Sequence, residues 1–122
     1  MTGGERVRAA LIGGSPLTSA GTKVRQDAAD EQDDYPFIIF RRTEVDRQRG
    51  LVGELLAVRE TFQVECWGEN REASDVLEAE AVSTLEAAGL YPDGNEPDGL
   101  DPEVRVRAAV FSVDVWTTPD IG

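Results

Sequence analysis

The sequence predicts an α+β fold, a two-layer sandwich in which a mainly antiparallel sheet of about four strands is covered by a long central helix and a short N-terminal helix. Residues 55–89 change from a strand-like alternation of period 2 to a helical periodicity. An apolar run typical of a strand precedes this stretch at residues 37–40, and a strand-like alternation of Phe111, Val113 and Val115 follows it. A polar connection with glycines precedes residue 55 and favours a hairpin, hence antiparallel pairing. With 122 residues, 40% of them hydrophobic, we expect one domain over residues 1–122.

The first predicted element is a short helix. Apolar residues recur at helical spacing between residues 5 and 12, and the Gly-Gly-Ser-Pro sequence that follows cannot continue a helix. Residues 23–25, Lys-Val-Arg, are a possible short strand. The acidic run at 27–34 is interpreted as a solvated loop.

The next two strands are predicted to form a hairpin. Residues 37–40 are a continuous apolar run, expected for a strand that is buried on both faces or lies at an interface, and Pro36 suits its start. The chain is polar from Arg41 to Gly53, which predicts a long hairpin connection between strands at 36–43 and 55–67. We expect this connection to be mobile until it meets a partner.

The central strand and helix have the clearest pattern. Gly68 allows a sharp turn, Asn70 suits the N-cap of the helix, and Gly89 suits its end. The apolar face of the strand is broken only by Glu60; its members are Leu56, Val58, Phe62, Val64 and Cys66. The helix is predicted to bury a stripe of Leu77, Ala81, Leu85 and Ala88, with Ala73 and Val76 beside it.

A closing strand is predicted after an acidic connection rich in proline and glycine at residues 90–102. Apolar residues alternate from Val104 to Val110 and then continue on the opposite parity to Val115. Two explanations remain open: a bulge near Ala109 resets the register, or the strand passes from a half-exposed to a fully buried setting.

Composition excludes several classes of function. A formal net charge of -12 argues against a protein that grips nucleic acid by its phosphates. The chain has no histidine, which removes the commonest general base and metal ligand, so we expect no enzyme, no cofactor and no metal. The acidic pair Glu44 and Asp46 is expected to be solvated rather than catalytic, and the acidic loops hydrated rather than calcium-binding.

The single cysteine, Cys66, allows no intramolecular disulfide and is expected to be buried. No segment has the length and apolarity of a membrane span, and the first residues lack the apolar run of a secretory signal. We therefore expect a protein made in the cytoplasm, with no membrane partner.

Two groups of residues have two interpretations each. Trp67 and Trp116 end strands, and either close the edge of the core or anchor a subunit contact. The arginine cluster is either a solvated hairpin or a basic patch that complements the acidic surface of the molecule; its members are Arg41, Arg42, Arg47 and Arg49.

The order of these patterns resembles the tail terminator family, also called tail completion or minor tail proteins, of long-tailed non-contractile bacteriophages and gene transfer agents. The similar segments are Tyr-Pro-Phe-Ile-Ile-Phe at 35–40, Thr-Phe-Gln-Val-Glu-Cys-Trp at 61–67, a helix that opens Arg-Glu-Ala at 71–73, and a closing strand at 111–116. The resemblance runs from about Val7 to Trp116. The sequence departs from the family pattern in its acidic segments, residues 27–34 and 91–103.

The resemblance implies a structural virion protein that forms a hexameric ring on the head-proximal end of the tail tube. Such a ring ends tube polymerisation and joins the tail to the head connector, so its partners would be the tail tube protein and the connector or stopper. DNA would pass through the lumen without specific binding, which an acidic wall permits because it repels phosphates. The protein would be made in the cytoplasm of a bacterial host and reside in the virion.

A ring requires a heterologous interface, in which one patch of each subunit meets a different patch of the next. We place the candidates on the Arg41–Gly53 hairpin and on the open edge of the strand at 35–40. The candidate interface residues are Tyr35, Phe37, Ile39, Arg41, Arg42, Arg47, Arg49, Trp67 and Trp116. The alternative function is a small cellular acidic protein-binding module, monomeric or dimeric.

Overall fold

A single mixed sheet carries two helices on one of its faces in the computed structural model, which describes residues 3–13, 23–27, 36–93, 102, 104 and 108–118. Within these residues the strand order is β1-β2-β3-β5-β4; β1 runs parallel to β2, and the other pairs are antiparallel. The predicted α+β fold class is confirmed. The elements are α1 (Gly3–Ile12), β1 (Lys23–Gln26), β2 (Phe37–Arg49), β3 (Leu55–Trp67), α2 (Arg71–Ala87), β4 (Pro92–Asp93) and β5 (Ala108–Thr117).

The hydrophobic core lies between the helices and one face of β1, β2, β3 and β5. Val7 and Leu11 of α1 are fully buried there, as the helical spacing predicts. The predicted buried stripe of α2 is confirmed for Leu77, Ala81 and Leu85. It is wrong for Val76 and Ala88, which are exposed, and it missed Ser74 and Thr84, which are buried. The sheet contributes Val24, Ile38, Phe40, Phe62, Val64, Cys66, Ala109, Phe111, Val113 and Val115.

The turn from β3 into α2 has the predicted chemistry. A Cβ on Gly68 would lie 2.7 Å from the backbone nitrogen of Ser74, so a side chain does not fit there. The Gly68 amide donates to Ser74 Oγ at 2.9 Å, and the Asn70 side chain accepts from the Ala73 amide at 2.8 Å. At the other end, Gly89 adopts a φ of +82°, the left-handed conformation that ends many helices. The helix therefore begins and ends where the sequence predicts.

Glu60, the exception in the apolar face of β3, lies beside the N-terminus of α1. A Cβ on Gly3 would stand 2.6 Å from Glu60 Oε1, so a side chain at this position would require the Glu60 carboxylate to move. Arg42 Nη1 lies 3.3 Å from Glu60 Oε2 on the same side of the sheet. A negative charge at this end of a helix is favourable, because the free amides there carry a partial positive charge. Glu60 thus fixes the point at which α1 meets the sheet.

β2 is longer than the sequence indicates. It pairs with β3 as far as Arg49, so the connection shrinks from the predicted 41–53 to the few residues between Arg49 and Leu55. The pairing contains two register shifts, one between Arg42 and Glu44, where Thr43 has no direct partner, and one between Gln48 and Arg49. The expectation of a long irregular connection is therefore wrong. Polar residues form this part of β2 because their side chains make ion pairs with residues of β3, as described below.

β5 begins later than predicted. Val104, expected in the closing strand, has a helical backbone, and residues 105–107 lie outside the described part of the chain. The reason is the partner strand: β3 ends at Trp67, which pairs with Ala108, and Gly68 then turns the chain away. The pairing runs without a register shift, so there is no bulge near Ala109. The first four residues of β5 are buried and the strand alternates after them, so in the described part of the strand the predicted passage from a half-exposed to a fully buried setting runs in the opposite direction.

Candidate functional site

The sheet face opposite the helices carries a buried carboxylate. Glu65 of β3 is only 3% exposed and receives three donors. Arg41 Nη2 lies 2.9 Å from it, Gln63 Nε2 donates at 3.1 Å, and Trp67 Nε1 donates at 3.2 Å. Such a network satisfies the charge that burial would otherwise destabilise. Arg41 and Trp67, both predicted as interface residues, therefore meet in one cluster and are held by the chain itself.

Phe37 extends this cluster toward β1. Its ring stacks on Trp67, its direct cross-strand partner, with centroids 5.9 Å apart and an interplanar angle of 13°. Ile39, next on the same face, is buried. The prediction that this strand offers an open edge is wrong, because β1 pairs in parallel with residues 37–40. Tyr35 lies outside the described residues.

Beyond β1 the hairpin of β2 and β3 continues as a protrusion, which we call the arm, residues 41–59. β2 has no strand on its outer side here within the described residues, and β5 stops pairing with β3 at Val58. The hairpin beyond the pair of Arg47 with Val58 therefore consists of two strands only. A two-stranded hairpin is marginal in water unless other interactions support it.

Cross-strand ion pairs supply part of that support. Arg59 Nη2 lies 3.3 Å from Glu44 Oε1 and 3.7 Å from Asp46 Oδ2, so the acidic pair shares one arginine. Gln48 Nε2 also donates to Asp46 at 2.8 Å. Arg59 of β3 thus holds both carboxylates of β2 in the arm.

The predicted arginine cluster is divided among several partners. Arg41 binds Glu65, Arg42 binds Glu60, and Arg49 Nη1 donates to the Gly53 carbonyl at 3.0 Å. Arg47 is exposed, and within the described residues it has no hydrogen bond or ion pair. The structure thus leaves one arginine of the four free for a partner.

The tip of the arm is a turn held by hydrogen bonds. The Gly50 amide donates to the Glu54 carbonyl at 2.8 Å, and the Gly53 amide, at a φ of +85°, donates to the Gly50 carbonyl at 3.1 Å. The Val52 amide donates to Glu54 Oε2 at 3.2 Å. Leu51 and Val52 nevertheless point away from the chain and are almost fully exposed. Two apolar residues between glycines in a polar segment were the signal for this feature, and the sequence analysis missed it.

A pocket of about 360 Å³ lies at the outer edge of β5. Arg6 Nη1 donates to the Trp116 carbonyl at 2.9 Å and so closes the strand edge. The Asp114 carboxylate accepts from Thr61 Oγ1 at 2.7 Å. Tyr91 and Trp116 are large exposed rings, the latter 52% exposed. The lining residues are Arg6, Gly89, Leu90, Tyr91, Asp114 and Trp116.

The two tryptophans therefore differ in role. Trp67 is half-buried and joins the Glu65 cluster, whereas Trp116 forms a wall of the pocket. Neither belongs to the core cluster between sheet and helices. Sequence reasoning could not find the pocket, because its residues come from α1, from the segment after α2 and from β5.

No metal centre is evident in the described part of the chain. No group of three potential ligands, counting carboxylates and Cys66, comes together there. Burial raises the pKa of the Cys66 thiol, and the nearby charges of Glu78 and Glu65 raise it further, so the thiol is not activated as a nucleophile. None of the described helices combines the length and the apolarity needed to cross a membrane.

Comparison with known proteins identifies a fold but no family. No protein-family model matches the sequence, and no curated protein matches it. The structure is similar to that of the gp17 protein of bacteriophage SPP1, with a TM-score of 0.55 over 96% of this chain and 88% of that one. The two sequences are 13% identical, so the likeness establishes a shared fold with a phage protein.

Proposed function

We propose that the chain is a structural protein of a phage-like tail that forms a ring on the head-proximal end of the tail tube. The ring ends tube polymerisation and joins the tail to the head connector. The observation that carries this proposal is the fold shared with a phage protein along nearly the whole chain. It agrees with the sequence resemblance to tail terminators, which rests on different evidence, the order of strand and helix motifs. Because one fold serves many functions, the surfaces must support the role as well.

The surfaces support a ring because the chain has two unlike features that could meet between neighbouring subunits. The arm projects from β2 and β3 beyond the end of β5, while the pocket lies at the outer edge of β5. A ring of identical subunits needs a heterologous interface of this kind, with different patches meeting at each contact. In the proposed hexamer, each subunit uses one of the two features toward each neighbour.

The charge distribution supports passage of DNA without binding. The exposed side of α2 carries Glu72, Asp75 and Glu86, and the chain has 24 acidic against 12 basic residues. Five of the 12 basic residues belong to the arm. A wall of this composition repels phosphates, so a genome would slide through the lumen. The arm is then the part suited to protein contacts, with the tail tube protein and the connector as the partners at the two ends of the ring.

The test is cryo-electron microscopy of intact particles from the source that encodes this chain. We expect a closed ring of the chain between the last ring of the tail tube and the connector. In particles made without the chain, tubes should continue past their normal length and fail to join heads. Tails of normal length that join heads in its absence would overturn the proposal. A strictly monomeric chain that binds a basic protein in a salt-dependent manner would instead support the acidic binding module.

A further inference from the structure

We infer that the tip of the arm in one copy of the chain inserts into the pocket at Tyr91 and Trp116 of the next copy. The inserted side chains are Leu51 and Val52. This inference rests on the proposed ring and names the contact that joins its subunits.

The tip is built to present apolar side chains. Its backbone is fixed by the hydrogen bonds among Gly50, Gly53 and Glu54, so the turn is set before any contact forms. The side chains of Leu51 and Val52 are not stabilised by burial within their own chain, since both remain in solvent. Leu56, on β3 just behind the tip, is also exposed. Exposed apolar side chains on a preorganised turn favour binding, because little conformational entropy is lost on contact.

The pocket has a matching size and lining. Its volume of about 360 Å³ equals that of roughly a dozen water molecules at ~30 Å³ each. Two aliphatic side chains fit in this space. Leu90, Tyr91 and Trp116 supply apolar surface to its lining, and aromatic walls of this kind recur where a partner's side chain is buried.

The tip of a chain cannot reach the pocket of the same chain. Trp116 pairs with Arg59, and β3 runs from Arg59 away from the pocket toward the tip. Gly53 is six residues further along, which at ~3.4 Å per residue places the tip about 20 Å away. The arm is paired with its own strand throughout and does not fold back. Only the tip of another copy can fill the pocket.

Charge selects the same contact. Two copies with a net charge of -12 each repel one another, so they should associate through the most basic part of one of them. The arm carries five arginines against three carboxylates. Arg47, near the tip, is exposed and has no partner within the described residues. The pocket is lined by one carboxylate, Asp114, and one cation, Arg6, which is bonded to the Trp116 carbonyl; Glu86 is exposed one turn before Gly89. The net charge of -12 on a second copy thus attracts a basic arm, although the pocket lining itself is balanced in charge.

The contact is tested by paired cysteines. Because Cys66 is fully buried, it stays silent in a cross-linking experiment on the folded chain. We expect a short bifunctional thiol reagent to join Leu51→Cys of one copy to Tyr91→Cys of another. An equimolar mixture of the two single variants should give one covalent dimer, whereas each variant alone should stay monomeric. The double variant should give a ladder that ends at the closed ring.

A matched control replaces the pocket position by an exposed residue elsewhere. Glu72→Cys, on the outer side of α2, should give no product with Leu51→Cys. Efficient linkage of Leu51→Cys to itself would overturn the inference, because it would show a symmetric contact between tips. Absence of the Leu51–Tyr91 product up to the highest soluble concentration would also overturn it.

The outcomes separate this inference from the proposed function. A ring at the tail end of particles whose subunits carry both cysteines, with no Leu51–Tyr91 product, would reject the contact and retain the function. A ladder from a chain that is absent from tails would retain the contact and reject the function.

Discussion

The two halves of the β2–β3 hairpin differ in what covers them, although their strands and pairing are the same. In the base of the hairpin, Phe40 and Phe62 lie beneath the helices and meet edge to face with centroids 6.2 Å apart. In the arm, no described helix covers the corresponding face, and Val45, Leu56 and Val58 are exposed or half-buried. The comparison shows that strand pairing alone does not decide how much a hairpin contributes to stability; coverage of its apolar face decides it.

The polar groups of the two halves differ in the same way. Glu65 is buried among donors in the base, whereas Glu44 and Asp46 lie in the arm against a partly exposed arginine. Exposed ion pairs contribute about 0–1 kcal/mol, and loss of one partner from a buried network costs several-fold more. The base therefore stabilises the fold. The exposed ion pairs of the arm contribute little to stability and hold the two strands in a conformation that is available for contacts with other chains.

The largest expected effect contrasts two apolar residues on the same face of β3. Phe62→Ala should lower the free energy of unfolding by about 3–5 kcal/mol, because it removes a fully buried ring and leaves a cavity. Leu56→Ala, in the arm, should change it by less than about 0.5 kcal/mol. Urea denaturation of both variants measures the difference. Equal losses would show that the arm is part of the cooperative core.

The next effect contrasts two carboxylates. Glu65→Ala should cost about 1–3 kcal/mol, because Trp67 Nε1 and Arg41 lose their acceptor in a buried setting. Glu44→Ala, at an exposed position, should cost less than about 1 kcal/mol. The same denaturation measurement applies, with Glu65→Gln as the isosteric control that keeps an acceptor but not the charge. A harmless Glu65→Ala would contradict the idea that this network stabilises the base.

A smaller effect concerns pH and Cys66 in the base. Burial raises the pKa of this thiol in the folded chain, so the folded state keeps its proton while an unfolded thiol loses it above about pH 8.5. Stability is therefore unaffected below that pH and falls above it, by about 1 kcal/mol between pH 8.5 and 9.5. Denaturation at several pH values should show a steeper alkaline decline in the wild type than in Cys66→Ala. Parallel declines would indicate that the thiol ionises within the fold.

The smallest expected effect on stability is at the tip of the arm. The double variant Leu51→Ser and Val52→Ser should unfold within about 0.5 kcal/mol of the wild type, because both side chains are already in solvent. Thermal denaturation at a dilution where the chain is monomeric measures this. A loss of more than 1 kcal/mol in the monomer would mean that these side chains support the arm itself.

The covered half of the molecule could be predicted from the sequence because its signals are local. The cap at Asn70 and the left-handed Gly89 depend on neighbouring residues, and both are confirmed. The alternation of β3 is confirmed at Phe62, Val64 and Cys66 but is wrong at Leu56, which is exposed, and Glu65 of the opposite face is buried as well. The predicted strand boundaries were wrong where residues distant in sequence determine the pairing. Polar β2 continues to Arg49 because Arg59 and Glu60 face it from the other strand.

The candidate surfaces were predictable only in part, for the same reason. The parallel pairing of β1 closes an edge that the sequence left open, and the pocket joins residues more than 100 positions apart, Arg6 and Trp116. The arginines looked alike in sequence, but Arg47 differs from the others because it finds no partner within the described residues. Trp116 was a candidate on general grounds, and only the fold shows that it borders a pocket.

The register shift at Thr43 has a consequence for how such a protein can diversify. Since side chains alternate between the two faces of a strand, one unpaired residue exchanges the faces of everything beyond it. Glu44 and Asp46 meet Arg59 only because of that single extra position. Gain or loss of one residue here would exchange the faces of the β2 side chains from Glu44 to Gln48, while the base of the hairpin keeps its register. A lineage could thereby change in one mutational step which side chains the arm presents to a neighbour and leave the packing of the base unchanged.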